Sequence, residues 1–163
     1  MITTARISEC QQYRYELRRI WDDALPPCVF IGLNPSTADA TQDDPTIRRC
    51  INFAKSWGMG SLVMVNAYAF RATDPSDMKK ALDPIGIENN ASLKSVVQEA
   101  ADRGGIVIAA WGNHCDQLRE VSLMWMKDII EVRCLGKTKT GKPKHPLYIK
   151  SDVEPTVFWS KRS

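Results

Sequence analysis

Three short, continuous apolar runs stand out along the chain: residues 28–33 (CVFIGL), 61–70 (SLVMVNAYAF) and 106–111 (IVIAAW). A run of this length bounded by turn residues is the pattern of a strand buried on both faces. Between the first two, Asp44-Pro45 reads as a helix N-cap followed by proline at the first helical position. Ile47, Cys50, Ile51 and Ala54 then recur at helical spacing and Gly58 stops the helix. Leu93, Val96, Val97, Ala100 and Ala101 mark the stripe of a second helix, which ends at Gly104-Gly105. Leu118, Val121, Ser122 and Trp125 predict a third, ahead of a fourth strand within residues 129–135 (IIEVRCL). Upstream, residues 13–21 (YRYELRRIW) put Tyr13, Tyr15, Leu17 and Trp21 on one alternating face, as in a half-exposed strand, before Pro26-Pro27 break the chain.

Three strand-helix-strand units in succession imply parallel neighbours, because a parallel pair needs a crossover and the crossover is normally a helix. The expected fold is α/β: a three-layer α/β/α domain with a central, mostly parallel four-stranded sheet and an additional N-terminal strand. There is no repeat, low-complexity tract or linker, so residues 1–163 are expected to form one domain. At 163 residues and 44% hydrophobic content, such a domain buries roughly 70% of its unfolded surface.

Charge adds little at the level of the whole chain. A net +3, from 22 Lys+Arg against 19 Asp+Glu, does not by itself demand a polyanionic partner, so only the placement of charges is informative. The five cysteines are scattered and odd in number and contain no CxxC pair; they read as small buried apolar residues rather than a disulfide framework or a zinc or iron–sulfur site. The N-terminus lacks a signal-peptide core and no run of about 18 apolar residues exists. A reducing cytoplasm is the expected location, with no membrane partner and no obligate protein partner.

In parallel sheets ligands bind beyond the carboxyl ends of the strands. Four polar clusters fall at those ends: Asn34-Pro35-Ser36-Thr37, Asn66, Trp111-Gly112-Asn113, and a lysine-rich loop leading to His145-Pro146. Asn34 alone is equally consistent with an Asx-type turn. Asn66 is harder to dismiss, because an amide inside VMVNAYAF is buried and needs partners for several donors and acceptors. A nucleobase edge offers a matching donor and acceptor.

The stretch GKTKTGKPKH carries Lys137, Lys139, Lys142 and Lys144 without an acid. A solvated loop is the plain reading; clustered cations that approach a phosphate backbone fit better. Tyr68 and Phe70 could stack on a base, although core packing is the commoner use of aromatic residues. Asp43 and Asp44 form no cluster with histidine that would hold a metal, and the helix cap explains Asp44. No cofactor is implied.

Taken in order, GLNPS, VMVNA, IAAWG and HPLY resemble motifs of the uracil-DNA glycosylase superfamily, particularly its mismatch-specific branch. The longer stretches YRYELRRIWD, GLNPSTADATQDDPTIRRC and HPLYI also resemble an uncharacterised family of small bacterial and phage proteins. The glycosylase resemblance implies that Asn34 positions the attacking water, Asn66 recognises the edge of an extruded pyrimidine and His145 stabilises charge on the leaving base. It also implies that Pro35, Ser36 and the His145 loop hold DNA phosphates. The chain departs from the superfamily after His145-Pro146, where Leu147-Tyr148-Ile149 follow at once; Leu147 is the candidate wedge into the gap left by the base. The lysine-rich segment before His145 is a second departure.

The expected function is metal-free hydrolysis of an N-glycosidic bond on a modified or mismatched base, with DNA or a nucleotide as partner. The alternatives are a base-modifying or nucleotide-processing enzyme that uses the same pocket without excision, and a non-catalytic reader of modified DNA.

Overall fold

The computed structural model describes residues 1–163 and is an α/β fold built on one mixed, seven-stranded sheet. In chain order the elements are β1 (Ile2–Ile7), β2 (Arg14–Ile20), β3 (Pro27–Gly32), α1 (Pro45–Ser56), β4 (Ser61–Asn66), α2 (Pro75–Lys80) and α3 (Asn89–Asp102). They continue with β5 (Ile106–Ala109), α4 (Gln117–Ser122), β6 (Val132–Cys134) and β7 (Thr156–Trp159). The strand order is β1-β2-β4-β3-β5-β6-β7.

The four central strands, β4-β3-β5-β6, run parallel, as the three crossover units imply. The sheet is larger than the four strands plus one expected from the sequence, because β1 and β2 add an antiparallel hairpin at one edge and β7 an antiparallel strand at the other. The physical reason is burial. β1 and β7 contain no fully buried residue, so neither reads as a core strand; β7 lays Phe158 and Trp159 against the core, and β1 is held by its ladder, Ala5 and the contacts of Arg6.

Alternate residues of the central strands face opposite sides. Val29, Ile31, Val63, Val65, Val107 and Ala109 pack with Leu93, Val96, Val97 and Ala100 of α3. Cys28, Phe30, Leu62, Met64 and Ile108 pack with Ile47, Cys50, Ile51, Phe53 and Ala54 of α1. Both faces are therefore dry, which is why the strands read as unbroken apolar runs; each fully buried side chain of this kind contributes about 1.5–3 kcal/mol. The cap of α1 is as its sequence indicates: Asp44 accepts the Ile47 N–H at 2.8 Å, Pro45 starts the helix, and Gly58 follows its end with φ +77°.

Three local expectations are corrected. First, the face shared by Tyr13, Tyr15, Leu17 and Trp21 is broken by a register shift: Arg6 pairs with Glu16 but Ile7 with Arg14, which leaves Tyr15 as the extra residue of a bulge. Leu17 joins the cluster under α1, whereas Tyr15 stacks on Tyr13 and takes the Arg6 guanidinium over its ring. Second, β4 ends at Asn66 rather than Phe70, because Ala67 and Tyr68 donate their N–H groups to Gly32 and Leu33 as the chain turns across β3. Third, α4 is one and a half turns long and exposes Leu118 (85%) and Val121 (51%); the buried residues of this segment are Arg119, Leu123 and Met126. Of the cysteines, Cys10 is exposed in a turn and the other four are buried.

The chain passes from β3 to β4 on one side and then, through α3, to β5 on the other side of β3. The loops that leave β3 and β5 therefore diverge, and a crevice opens at the carboxyl ends of the strands.

Candidate functional site

That crevice is a cavity of about 720 Å³. Asn34, Pro35, Ser36, Thr37, Asn66, Lys144, His145 and Leu147 line it, brought together from the ends of β3, β4 and β6. Its floor is strand backbone: Gly32 of β3 pairs with Asn66 of β4, and Met64 lies beside them.

Asn66 is 1% exposed and its Nδ2 has no hydrogen-bond partner. A buried amide donor left unmade costs about 1–3 kcal/mol, so its retention at the bottom of a cavity points to a ligand acceptor. The carboxamide fits there because Gly32 has no side chain. A Cβ at Gly32 would stand 2.7 Å from Asn66 Oδ1 and 2.8 Å from the Met64 methyl. Asn89 of α3 supports the same strand end from the opposite side of the sheet, donating to the Asn66 and Ala67 carbonyls at 3.0 and 3.2 Å.

Asn34 is held through its nitrogen. Nδ2 donates to the Ala72 carbonyl at 2.8 Å and more weakly to those of Pro35 and Phe70, at 3.3 and 3.4 Å. With the donor side committed, Oδ1 remains as an acceptor for water or ligand. The side chain does not make the Asx-type turn its position suggests, in which Oδ1 would accept a backbone N–H; its nitrogen instead ties the loop after β3 to the segment 70–72.

His145 stands at the mouth, solvent-accessible on one side. Its Nδ1 accepts the Leu147 N–H at 3.2 Å, so the neutral ring carries its proton on Nε2. Desolvation by the surrounding wall lowers its pKa from the ordinary imidazole value, with Asp44 opposing, which favours that neutral form.

The lysine-rich loop is ordered rather than a free strap. Thr138 and Thr140 both donate to Asn113 Oδ1, at 2.8 and 2.9 Å, Gly112 donates its N–H to the Pro143 carbonyl, and Lys144 N–H returns to Gly136. Gly136 and Gly141 have φ of +118° and +80°, so the two glycines make the loop's turns. Lys144 lines the cavity. Lys142 is committed to Glu120 at 2.9 Å, whose other oxygen accepts the Trp111 Nε1–H at 2.8 Å. Lys137 lies over the Phe158 ring, and neither it nor Lys139 lines the cavity.

Tyr68 and Phe70 are not cavity residues. Beyond the end of β4 the chain has turned, so Tyr68 sits in the α3-side core with its hydroxyl accepting the Asp116 N–H, and Phe70 packs edge-on against Tyr13. Among the wall residues that sequence reasoning did not assign are His114, Tyr148 and Arg14. Tyr148 is fully exposed with φ +68°, and no sequence signal marks it. Arg14, only 2% exposed, is the most consequential: an arginine in a half-exposed strand reads as solvated, and only the Tyr15 bulge aligns it with the cavity. No three His, Cys, Asp or Glu side chains are grouped to hold a metal ion, and no helix is long and apolar enough to cross a membrane.

No curated protein and no solved structure matches the chain. Residues 14–147, which run from Arg14 in the cavity wall to Leu147, match the family described as "Protein of unknown function (DUF1643)", and the chain belongs to that family.

Proposed function

We propose that the cavity binds a nucleobase and that the protein hydrolyses the N-glycosidic bond of a modified or mismatched base, in the manner of the uracil-DNA glycosylases its motifs resemble. The observation that carries this reading is Asn66, a buried carboxamide with an unpartnered donor on the cavity floor. Offering Nδ2–H and Oδ1 together, it matches the edge of a base taken out of the stack.

The remaining roles follow from hydrogen-bonding capacity. Asn34 Oδ1 orients a water; it is too weak a base to do more, which suits a reaction in which bond breaking runs ahead of attack. The C1′–N bond breaks with its electron pair leaving on the base, the water oxygen forms the new C1′–O bond, and one water proton ends on the base nitrogen. His145, neutral with its proton on Nε2, donates to the base oxygen on which charge develops. Ser36 and Thr37, on the loop that Pro35 shapes, bind phosphates at the mouth together with Lys144, and Leu147 fills the gap beside the extruded base.

The test is release of free base from labelled single- and double-stranded oligonucleotides carrying uracil, hypoxanthine, 5-hydroxymethyluracil or a G·T mismatch. Wild type is expected to release a base, and Asn34→Ala and His145→Ala to lose release. Absence of release from every substrate would sink the hydrolase reading. A second reading, a nucleotide-processing enzyme acting in the same pocket without DNA, is favoured by the pairing of Lys142 with Glu120 and the distance of Lys137 and Lys139 from the cavity wall. Together these leave a small cationic footprint for a duplex.

A further inference from the structure

We infer that Arg14 is an anion-binding group inside the cavity and that, on the second of the two readings above, the ligand is a free nucleotide carrying a terminal phosphate monoester. The base half of this inference rests on the reading of Asn66 given above; the phosphate half rests on Arg14 alone.

Strand β2 contains its own control. Arg14 and Arg19 are both buried, at 2% and 1% exposure. Every nitrogen of Arg19 is used: Nε meets Asp43 at 2.8 Å, Nη1 donates to the Thr4 and Arg18 carbonyls, and Nη2 donates to those of Asp39 and Gln42. That is how a fold satisfies a cation it needs for itself. Arg14 has a single bond, from Nη1 to the Ala38 carbonyl at 3.1 Å; its Nε is buried without a partner, and it forms no ion pair. Asp44 lines the same cavity and acts on Arg14 from a distance, but the two form no ion pair, and one oxygen of its carboxylate caps α1. Burial lowers the Arg14 pKa to about 10, Asp44 opposing, so the group remains a cation at neutral pH.

An unpaired buried charge is among the costliest features a fold can carry, and an anion in the cavity removes that cost. The guanidinium still has most of its planar fork to offer, which suits the two oxygens of a phosphate or carboxylate. Arg14 and Asn66 are both buried in the wall of the same cavity, so one ligand that presents an anion and an amide-like edge serves both. An internal phosphodiester brings its neighbouring nucleotides with it and is confined to the mouth. A terminal monoester can follow its own base inwards, and about 720 Å³ falls in the size range of small-molecule sites.

The experiment is calorimetric titration of the full chain with the 2′-deoxynucleoside 5′-monophosphates of adenine, cytosine, guanine, thymine and uracil. The corresponding nucleosides and trinucleotides with free 5′-hydroxyls serve as comparisons. At least one monophosphate is expected to bind about tenfold or more tightly than its nucleoside, with no such gain for the trinucleotide. Arg14→Gln is expected to abolish the difference while its melting temperature stays level or rises. Equal binding of monophosphate and nucleoside by wild type, no binding at millimolar concentration, or a phosphate advantage that survives Arg14→Gln each overturns the assignment. The wild-type comparison decides even if that variant does not fold. Asn66→Ala separates the two halves. Should ribose 5-phosphate bind through Arg14 without any preference among bases, the base reading fails and the anion site stands. A base preference that depends on Asn66 but is indifferent to phosphate gives the converse.

Discussion

Gly32 and Asn66 are register partners across the parallel β3–β4 ladder, and the Asn66 carboxamide occupies the space that a Gly32 side chain would need. Gly32→Ala is therefore expected to push both that carboxamide and the Met64 methyl out of position. Overpacking of this size costs roughly 1–3 kcal/mol. Urea denaturation would measure the loss, and ligand binding should weaken beyond what partial unfolding explains, since the displaced amide is the one facing the cavity.

Asn34 holds three carbonyls with its nitrogen, so replacing that nitrogen by an oxygen is worse than deleting the side chain. At neutral pH the carboxylate of Asn34→Asp would face the carbonyls of Pro35, Phe70 and Ala72. Its folded-state pKa is raised by that repulsion, so stability lost at neutral pH, about 1–3 kcal/mol, returns as the pH falls and the acid protonates. Asn34→Ala should show no such recovery when both variants are melted at pH 7.5 and at pH 5.

For His145 the folded-state pKa lies below the ordinary value of 6.5. A histidine shifted this way is neutral in the folded protein at a pH where the unfolded chain has begun to bind a proton. Its contribution is fully present above the unfolded pKa and lost as the pH falls through the window between the two values. Base release is expected to stay level through pH 6.5 and to fall only below it. His145→Gln should flatten that acidic limb in a pH–rate profile, whereas a limb unchanged by the substitution would assign it to another group.

Arg19 ties β2 to the loop that ends in the cap of α1. Arg19→Met strands the Asp39 and Gln42 carbonyls and leaves Asp43 without its partner. Loss of a buried ion-pair partner costs about 3–5 kcal/mol; because Asp43 is partly exposed, the lower end of that range is expected. The denaturant midpoint of Arg19→Met should fall while that of Arg14→Gln stays level or rises, although the two arginines share a strand and a degree of burial.

The parallel centre of the sheet and the helices α1 and α3 were legible because burial on both faces leaves unbroken apolar runs, and Asp44-Pro45 carries its cap in its side chains. Asn34, Asn66 and His145 were legible as polar residues at the ends of such runs. β1, β7 and the six-residue α2 left no comparable trace, since edge strands and a helix burying only Met78 need little apolar surface. Arg14 was hidden for a different reason. Its role depends on a one-residue bulge at Tyr15, and the alternation of YRYEL is the same with or without the bulge.

The floor and the mouth of the cavity differ in how freely they can change. Gly32, Met64 and Asn66 belong to strands paired on both sides, where a substitution disturbs two ladders at once. Ser36, His114 and the pair Lys144 and Tyr148 sit on three connections that can lengthen, shorten or exchange residues without moving the sheet. Such an arrangement lets a lineage retain one inherited chemical grip while it trades the molecules delivered to it. Descendants of a common ancestor would then differ first in what they admit and last in what they hold.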